Sequence, residues 1–359
     1  TFFDRWYRPE KTTVILVGDL DPEATFGLVK QYWGDWERGD YEMEVPVEPP
    51  LGGPKYEHLQ WDGPTQPWLT MVFRGPAFVP TEKDMPALDL VSEIYFSSSS
   101  DLYKQLVLED QSVDQLFGYF PNQKDPGMLM IAARLTDTSH ATDVRDKINQ
   151  ALVAARTELV SDKKVEETKS RLRYSFASGM GSSGDIGSIL ARFAHHDRDI
   201  EIINDVYATY ESLTAEDVRS IANKYFVDGS RVTFTLSSDE SMPGIDGMTS
   251  LDELVAAADM ADAPPAVAPA SDETELPAPD VAAEDMAEVA FVARPLASSP
   301  LVDVSFLVHT GAALDPDGKK GLAAFTAAMI TGGGSQAKTI DEINAAMFPM
   351  AAGFGSQVD

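Results

Sequence analysis

Few residues in this chain have the types and spacing that metal binding or catalysis requires. The densest group of potential metal ligands is His195-His196, followed by Asp197 and Asp199. Adjacent residues on a helix point about 100° apart, so two neighbouring histidines rarely hold one metal ion. We therefore interpret the pair as the surface end of a helix rather than as a zinc site.

The remaining candidates for chemistry are weaker. His58, His140 and His309 each stand alone, with no histidine four residues away. The chain has no cysteine, which excludes disulfides, thiolate zinc sites and cysteine nucleophiles. It contains neither the G-x-S-x-G elbow of a serine hydrolase nor a glycine-rich phosphate-binding motif of the P-loop or dinucleotide type.

The stretch 161–196 must position the histidine pair. Ser161 is a candidate N-cap, and the apolar residues Leu172 and Phe176 recur one helical turn apart. A second apolar pattern begins at Ile186. Glycines interrupt the two patterns at Gly179, Gly181, Gly184 and Gly187. We predict two helices joined by a glycine-rich bend, where another part of the backbone comes close.

The charge of the chain limits its partners. Basic residues cluster on the first of these helices, at Lys163, Lys164, Lys169, Arg171 and Arg173. We predict a solvated helix face there; the alternative is a surface that faces an acidic substrate or a partner domain. The whole 359-residue chain carries a formal net charge of −30, so we expect no nucleic-acid partner. No apolar run reaches the roughly 18 residues of a membrane-spanning helix, so we expect no membrane span.

Strand and helix patterns are mixed along the chain, which predicts an α+β fold with a largely antiparallel sheet covered by helices on one face. The predicted strands are 12–17, 68–75, 112–120, 127–135, 231–236, 288–293 and 303–309. The predicted helices are 22–33, 84–95, 102–108, 144–159, 199–212, 214–225, 251–260 and 318–330, with a last helix after Thr339. Capping boxes are predicted at Thr81-x-x-Asp84, Thr214-x-x-Asp217 and Thr339-x-x-Glu342.

Composition and repetition indicate several domains. Alanine, proline and acidic residues dominate 239–287, and no Lys or Arg lies between Arg231 and Arg294. This composition is typical of a solvated linker. Residues 68–100 and 303–335 align without a gap as strand, polar turn, helix and small-residue run, so we predict a duplicated module.

Three groups of stretches resemble a known family. YRPEKTTVILVGDLDPEATFGLVKQYWGDW resembles the segment that closes the catalytic domain of pitrilysin/insulinase-type zinc metallopeptidases, which include mitochondrial processing peptidase. ALDLVSEIYFSSSSDLYKQLVLEDQ, VEETKSRLRYSFASGM and LTAEDVRSIANKYF resemble the non-catalytic domain that follows it. VSFLVHTGAALDPDGKKGLAAFTAAMITGGGS resembles the start of a further catalytic-type domain.

The resemblance implies that the catalytic motif is missing from this chain. The family carries H-x-x-E-H on a helix, where two histidines hold zinc and the glutamate is the general base. Family members read roughly G-L-A-H-F-x-E-H-M, whereas this chain reads GLAAFTAAM. Alanine stands at both histidine positions, Ala324 and Ala328, and at the glutamate position, Ala327. The family's substrate-contacting Arg and Tyr fall on Val107 and Asp114, so that contribution is also lost.

These observations lead to one division of the chain. The predicted parts are 1–40, the end of an upstream catalytic-type domain; 41–60, a linker; 61–238, a complete non-catalytic domain; 239–287, an acidic linker; and 288–359, the start of a second catalytic-type domain without the zinc motif. We predict no catalytic, metal-binding or cofactor-binding residue within the chain, which alone would be inactive.

The resemblance also implies a function. The chain would be a segment of a pitrilysin-like zinc metalloendopeptidase and form part of its substrate chamber, with zinc in an upstream module. Its partners would be that module and a peptide or unfolded polypeptide substrate. The alternative is a non-catalytic scaffold or partner subunit of the same family. Acidity and the resemblance to bacterial members lead us to expect a periplasmic or extracellular location.

Overall fold

The structure is a computed structural model that describes residues 2–245 except 43, 45 and 198, together with 249–260, 292–293 and 301–358. Most of the predicted strand 288–293 lies outside the described residues. So does the part of the predicted linker 239–287 that runs from 261 to 287. The chain divides into two compact units. The first unit comprises Thr1–Lys169 and Ser182–Ala263, and the second comprises Ser170–Gly181 and Pro264–Asp359.

A five-stranded sheet forms the centre of the first unit, in the order β1-β5-β2-β4-β3. Its strands are β1 Lys55–Gln60, β2 Trp68–Arg74, β3 Val113–Tyr119, β4 Met128–Leu135 and β5 Val232–Ser237. Neighbouring strands are antiparallel except β1 and β5, which run parallel. This arrangement confirms the predicted α+β fold and its largely antiparallel sheet.

Helices account for most of the remaining described chain. They are α1 Phe2–Trp6, α2 Pro22–Trp33, α3 Asp84–Phe96, α4 Asp101–Tyr103, α5 Ala141–Thr157, α6 Asp162–Ser178, α7 Ser183–Asp197, α8 Ile202–Glu211, α9 Ala215–Tyr225, α10 Leu251–Met260, α11 Leu322–Gly332 and α12 Ile340–Met347. A π-helical segment, Lys104–Glu109, follows α4. Within the described residues, no helix is both long and apolar enough to cross a membrane.

The core lies between one face of the sheet and the helices α3, α5 and α9. Every second side chain of β2 is buried there, as the alternation of a half-buried strand requires. Leu88 and Val91 of α3 are fully buried on the same side, one turn apart. Burying one such side chain contributes about 1.5–3 kcal/mol. A Cβ on Gly118 of β3 would lie 2.6 Å from the Ser92 hydroxyl, which shows how closely α3 approaches this strand.

The two helices predicted around the glycine-rich stretch are present as α6 and α7. The Ser161 hydroxyl accepts a hydrogen bond from the Lys164 amide at 3.2 Å, which confirms the predicted N-cap. The bend is shorter than predicted, because α7 already begins at Ser183 and includes Gly184 and Gly187. A Cβ on Gly187 would lie 3.8 Å from the Val17 side chain, an ordinary packing distance.

Two predicted strands, 12–17 and 303–309, do not form. Strand backbone groups need a neighbouring strand as hydrogen-bond partner, and within the described residues neither segment has one. Val14 and Leu16 remain half-exposed and Phe306 is largely exposed. The helical half of the predicted repeat is present as α11, whereas its strand half is not.

The predicted linker 41–60 is wrong in its last part, where β1 forms. The sequence KYEHLQ is polar because β1 is an edge strand with its side chains mostly exposed or half-buried. The predicted capping box at Thr81 is also wrong. α3 is preceded by Lys83, which makes no cap and instead donates to Asp217 at 2.8 Å. The boxes at Thr214 and Thr339 are confirmed.

The segment after β5 is not a solvated linker over its described part. Helix α10 forms as predicted, but it packs against α5 and buries Leu251 and Val255. Met242 and Ile245 are buried ahead of it. Composition misled the prediction because the acidic residues of this segment lie on its exposed side, while the fewer apolar residues face the core.

Candidate functional site

The helix that matches the family's zinc motif is well formed at its start. Gly321 precedes α11 with φ 93°, a left-handed conformation that favours glycine. The Asp315 carboxylate accepts hydrogen bonds from the Gly321 amide at 2.6 Å and the Ala323 amide at 2.9 Å. A carboxylate at a helix N-terminus accepts hydrogen bonds from the free amides and interacts favourably with the positive end of the helix dipole. This segment therefore keeps a regular helix at the motif.

The motif positions lie on one face of that helix but carry no ligand. Ala324, Ala327 and Ala328 follow the i, i+3, i+4 spacing of neighbours on a helix surface. A methyl group has no lone pair to bind Zn²⁺ and cannot take a proton from water, so these residues do not fit the metal. Nor do the described residues place any group of three or more His, Cys, Asp or Glu side chains where they could hold a metal ion.

The histidine pair lies at the C-terminal end of α7, as predicted. The His195 and His196 rings lie 5.7 Å apart between centroids, and the His196 ring packs 4.6 Å from that of Phe78. Burial, then the nearby His195 and Lys124, lowers the pKa of His196. The Asp199 carboxylate accepts from the Glu201 amide at 2.8 Å. The contacts of the pair are therefore those of a helix end packed on a loop.

Two other histidines have structural partners. His58 on β1 contacts the Thr235 hydroxyl at 2.8 Å through Nδ1 and the Asp239 carbonyl at 2.9 Å through Nε2. These contacts hold the edge strand to β5 and to the chain that follows it. His140 lies 3.1 Å from the Thr136 hydroxyl. His309 is exposed.

The predicted solvated face of α6 is wrong for Lys169. Its side chain is buried, and its ammonium donates to the Glu211 carbonyl at 3.1 Å and the Leu213 carbonyl at 3.2 Å. Glu166 completes the set at 2.6 Å. Cations bind well at the free carbonyls that end a helix, here α8. Lys163 matches the prediction, with 85% of its side chain exposed.

The positions that match the family's Arg and Tyr lie near the sheet edge. Val107 is on the π-helical segment and Asp114 is at a bulge in β3. Asp114 forms a two-pronged ion pair with Arg134, at 2.7 and 2.9 Å. The hydrogen bond from Arg134 lowers the pKa of Asp114 below its usual range. The Asp114 carboxylate therefore stays ionised and paired with Arg134 of the neighbouring strand β4.

Sequence inspection missed an exposed aromatic surface beside that ion pair. Phe117 and Tyr119 of β3 are 38% and 56% exposed, and Phe117 meets Trp68 edge-on at 6.4 Å. The Arg134 guanidinium lies 5.8 Å from the Trp68 ring. We call these four residues, Trp68, Phe117, Tyr119 and Arg134, the β3 surface. The alternation of Phe117 and Tyr119 around a glycine was the signal that could have revealed it.

The edge of the sheet at this surface is open. β3 pairs with β4 on one side and, among the described residues, with no strand on the other. An open strand edge presents unpaired backbone groups that can bind an extended chain. The neighbouring aromatic and arginine side chains are of the types that dominate protein interfaces.

Comparison with known proteins agrees with this picture. Residues 1–172 match the family described as the peptidase M16 inactive domain. The match covers 172 of the 359 residues, so this part of the chain is similar to a peptidase M16 inactive domain. This confirms the resemblance to pitrilysin-type zinc metallopeptidases, and the domain that residues 1–172 match is a non-catalytic one.

Individual proteases resemble this chain over part of their length. The zinc protease PqqE of Helicobacter pylori is 24% identical over 240 residues, which cover 66% of this chain and 53% of that protein. The chain thus spans about half the length of this curated relative. The crystal structure of a protease from Helicobacter pylori has a TM-score of 0.59 at 24% identity, covering 66% of this chain and 57% of that one. The periplasmic protease PqqL of Escherichia coli has a TM-score of 0.55 at 13% identity, covering 84% and 32%.

Proposed function

We propose that this chain forms a wall of the substrate chamber of a zinc metalloendopeptidase and binds extended polypeptide there without cleaving it. The observation that carries the proposal is the open edge of β3 in a non-catalytic peptidase-family domain. The alanines of α11 agree with a role in binding rather than in hydrolysis.

The binding mode follows from the physical chemistry of a sheet edge. An extended polypeptide would add as a strand to β3, so that its backbone pairs with the free edge. Every second side chain of that polypeptide would face the β3 surface, where Phe117, Tyr119 and Trp68 offer aromatic area. Backbone pairing does not depend on sequence, so the preference would be for extended or unfolded segments with apolar or aromatic side chains.

Catalysis would belong to an upstream M16 module, which we propose as the holder of zinc. The segment 12–20 and helix α2 border an open apolar groove of about 370 Å³, lined by Val14, Leu16, Phe26 and their neighbours. Segment 12–17 has strand-forming residues but no strand partner within the part of the chain that the structure describes. We place the contact with the upstream module there. A periplasmic or extracellular location is proposed because PqqL, one of the structural relatives, is a periplasmic protease.

A non-catalytic scaffold or partner subunit of the family is the second candidate. The absence of metal ligands from the α11 motif favours a scaffold as much as it favours a wall of the substrate chamber. The coding sequence upstream of residue 1 distinguishes the two: an H-x-x-E-H motif there supports the peptidase, and a protein without one supports the scaffold.

Polypeptide binding can be measured by fluorescence anisotropy with a labelled peptide of about 20 residues that alternates apolar and polar side chains. We expect Phe117→Ala/Tyr119→Ala to weaken binding at least about tenfold, because aromatic anchors contribute much of an interface's free energy. Tyr32→Ala on α2 is the control, since this tyrosine is also an exposed aromatic residue but is distant in sequence from β3. Equal affinity of the double variant and the wild type would contradict the proposed site.

A further inference from the structure

A carboxyl group between α3 and α8 lacks a basic partner. Asp89 on α3 is half-buried, and the Tyr210 hydroxyl of α8 donates a hydrogen bond to it. The Tyr207 ring lies 6.0 Å from that of Tyr210 on the same helix. Among the described residues, no Lys, Arg or His forms a salt bridge with Asp89. The Tyr210 hydroxyl therefore links α8 to α3 at this carboxyl.

The charged groups around this contact do not compensate Asp89. Glu93, one turn along α3, carries a like charge. The positive charge of Arg192 on α7 acts to lower the pKa of Tyr207. On α9, β3 and α5, which also pack against α3, several charged side chains are paired with partners other than Asp89. These pairs are Lys83–Asp217 and Lys224–Asp84 at α9, Asp114–Arg134 at β3, and Lys147–Asp110 and Arg156–Asp252 from α5.

The surroundings shift the ionisation of this group. Burial raises the pKa of Asp89 from 3.8 to about 7, with a further rise from Glu93 and an opposing effect of the Tyr210 hydrogen bond. When α8 separates from α3, the carboxyl meets water and ionises at its ordinary pKa of about 3.9. Between these two pKa values, Asp89 loses its proton when α8 separates from α3 and keeps it while the two helices are packed together. The contact therefore weakens as pH rises from about 4 to about 7 and changes little above that.

We propose that Asp89 and Tyr210 make the α3–α8 contact a pH-responsive joint, in which the neutral carboxyl holds α8 in place and the ionised carboxyl loosens it. The loosening is local, because Lys169 and Lys83 bind the backbone carbonyls of Glu211, Ser212 and Leu213 at the end of α8. Thr209 also donates to the Pro80 carbonyl at 3.1 Å.

Amide hydrogen exchange of the whole chain, read by mass spectrometry at pH 5 and pH 8, tests this joint. We expect the protection factors of α8 amides, corrected for intrinsic exchange, to fall about tenfold or more between these pH values in the wild type. Asp89→Asn keeps an acceptor for Tyr210 without the charge, so its α8 protection should stay within about twofold over the same range. Asp84→Asn is the matched control, because Asp84 lies on the same helix but is paired with Lys224, and it should keep the wild-type fall.

A second variant tests the direction of the pH effect on α8, and this test does not depend on whether Asp89→Asn folds. Tyr210→Phe removes the hydrogen bond that favours ionised Asp89, so its pKa should rise further and the fall in α8 protection should extend to higher pH. The proposal is overturned by a wild type without the fall, by an undiminished fall in folded Asp89→Asn, or by an unchanged pH profile in Tyr210→Phe.

Discussion

Lys169 shows how the position of a single charge decides its role. Lys163 of the same basic cluster is largely exposed, whereas the Lys169 ammonium donates hydrogen bonds to backbone carbonyls at the end of α8. The long side chain lets the charge reach these carbonyls while its methylene groups pack against apolar neighbours. The sequence pattern of α6 alone cannot reveal this, because the accepting carbonyls lie more than 40 residues further along the chain.

Replacing this charge should destabilise the first unit. We expect Lys169→Met to lower the free energy of unfolding by about 1–3 kcal/mol, since it leaves two carbonyls and Glu166 without their donor. Lys163→Met removes an exposed charge on the same helix and should change stability by less than about 0.5 kcal/mol. Urea unfolding of both variants measures the difference. Equal losses would show that Lys169 contributes no more than a surface charge.

Zinc ligands can be introduced at the α11 positions that carry alanine. Ala324→His/Ala328→His would place two imidazoles one helical turn apart, the arrangement that holds zinc in the family motif. We expect the double variant to bind Zn²⁺ in isothermal titration calorimetry at least about tenfold more tightly than Ala324→His alone, because two ligands then share the metal. Identical affinities would mean that the two positions do not share a face of α11.

At the scale of elements, local signals predicted most of the sheet and helices. The alternation of β2 and the capping boxes of α9 and α12 depend only on neighbouring residues. β1 escaped prediction because an edge strand can be polar, and 12–17 failed as a strand because pairing depends on residues elsewhere. The β3 surface was missed for the same reason: neither an open edge nor the proximity of Trp68 to Phe117 can be read from one strand.

The attachment of α10 should weaken at acid pH. Asp228 accepts hydrogen bonds from the Ser250 hydroxyl at 2.7 Å and the Asp252 amide at 3.1 Å, and pairs with buried Arg231 at 2.8 Å. Burial acts to raise the pKa of Asp228, but these hydrogen bonds and the Arg231 charge outweigh it and lower the pKa. The stabilisation is therefore present above the unfolded pKa and is lost as pH falls through the folded one.

Asp228→Ala should remove the cap of α10 and leave Arg231 buried without its carboxylate. We expect a loss of about 3–5 kcal/mol in the free energy of unfolding at pH 7, because breaking a buried ion pair leaves an uncompensated charge. The difference between variant and wild type should shrink towards pH 3. Guanidinium unfolding at both pH values measures it, and a difference that does not depend on pH would contradict the role of the Asp228 charge.

At the scale of the whole molecule, the family and its missing motif were recognisable from sequence, since both depend on the order of short stretches. What the molecule does with a non-catalytic domain depends on its surfaces, which only the fold brings together. An open, aromatic sheet edge and a motif helix without zinc ligands are the two observations behind the proposed binding of polypeptide.

The most direct test is to incubate the chain with a denatured, alkylated polypeptide and Zn²⁺, and to analyse the polypeptide in the complex by mass spectrometry. We predict that the polypeptide is recovered bound and intact, with or without a chelator. Fragments that appear only when zinc is present would contradict this account, because they would require a catalytic metal centre within a chain whose motif helix carries alanine at all three positions.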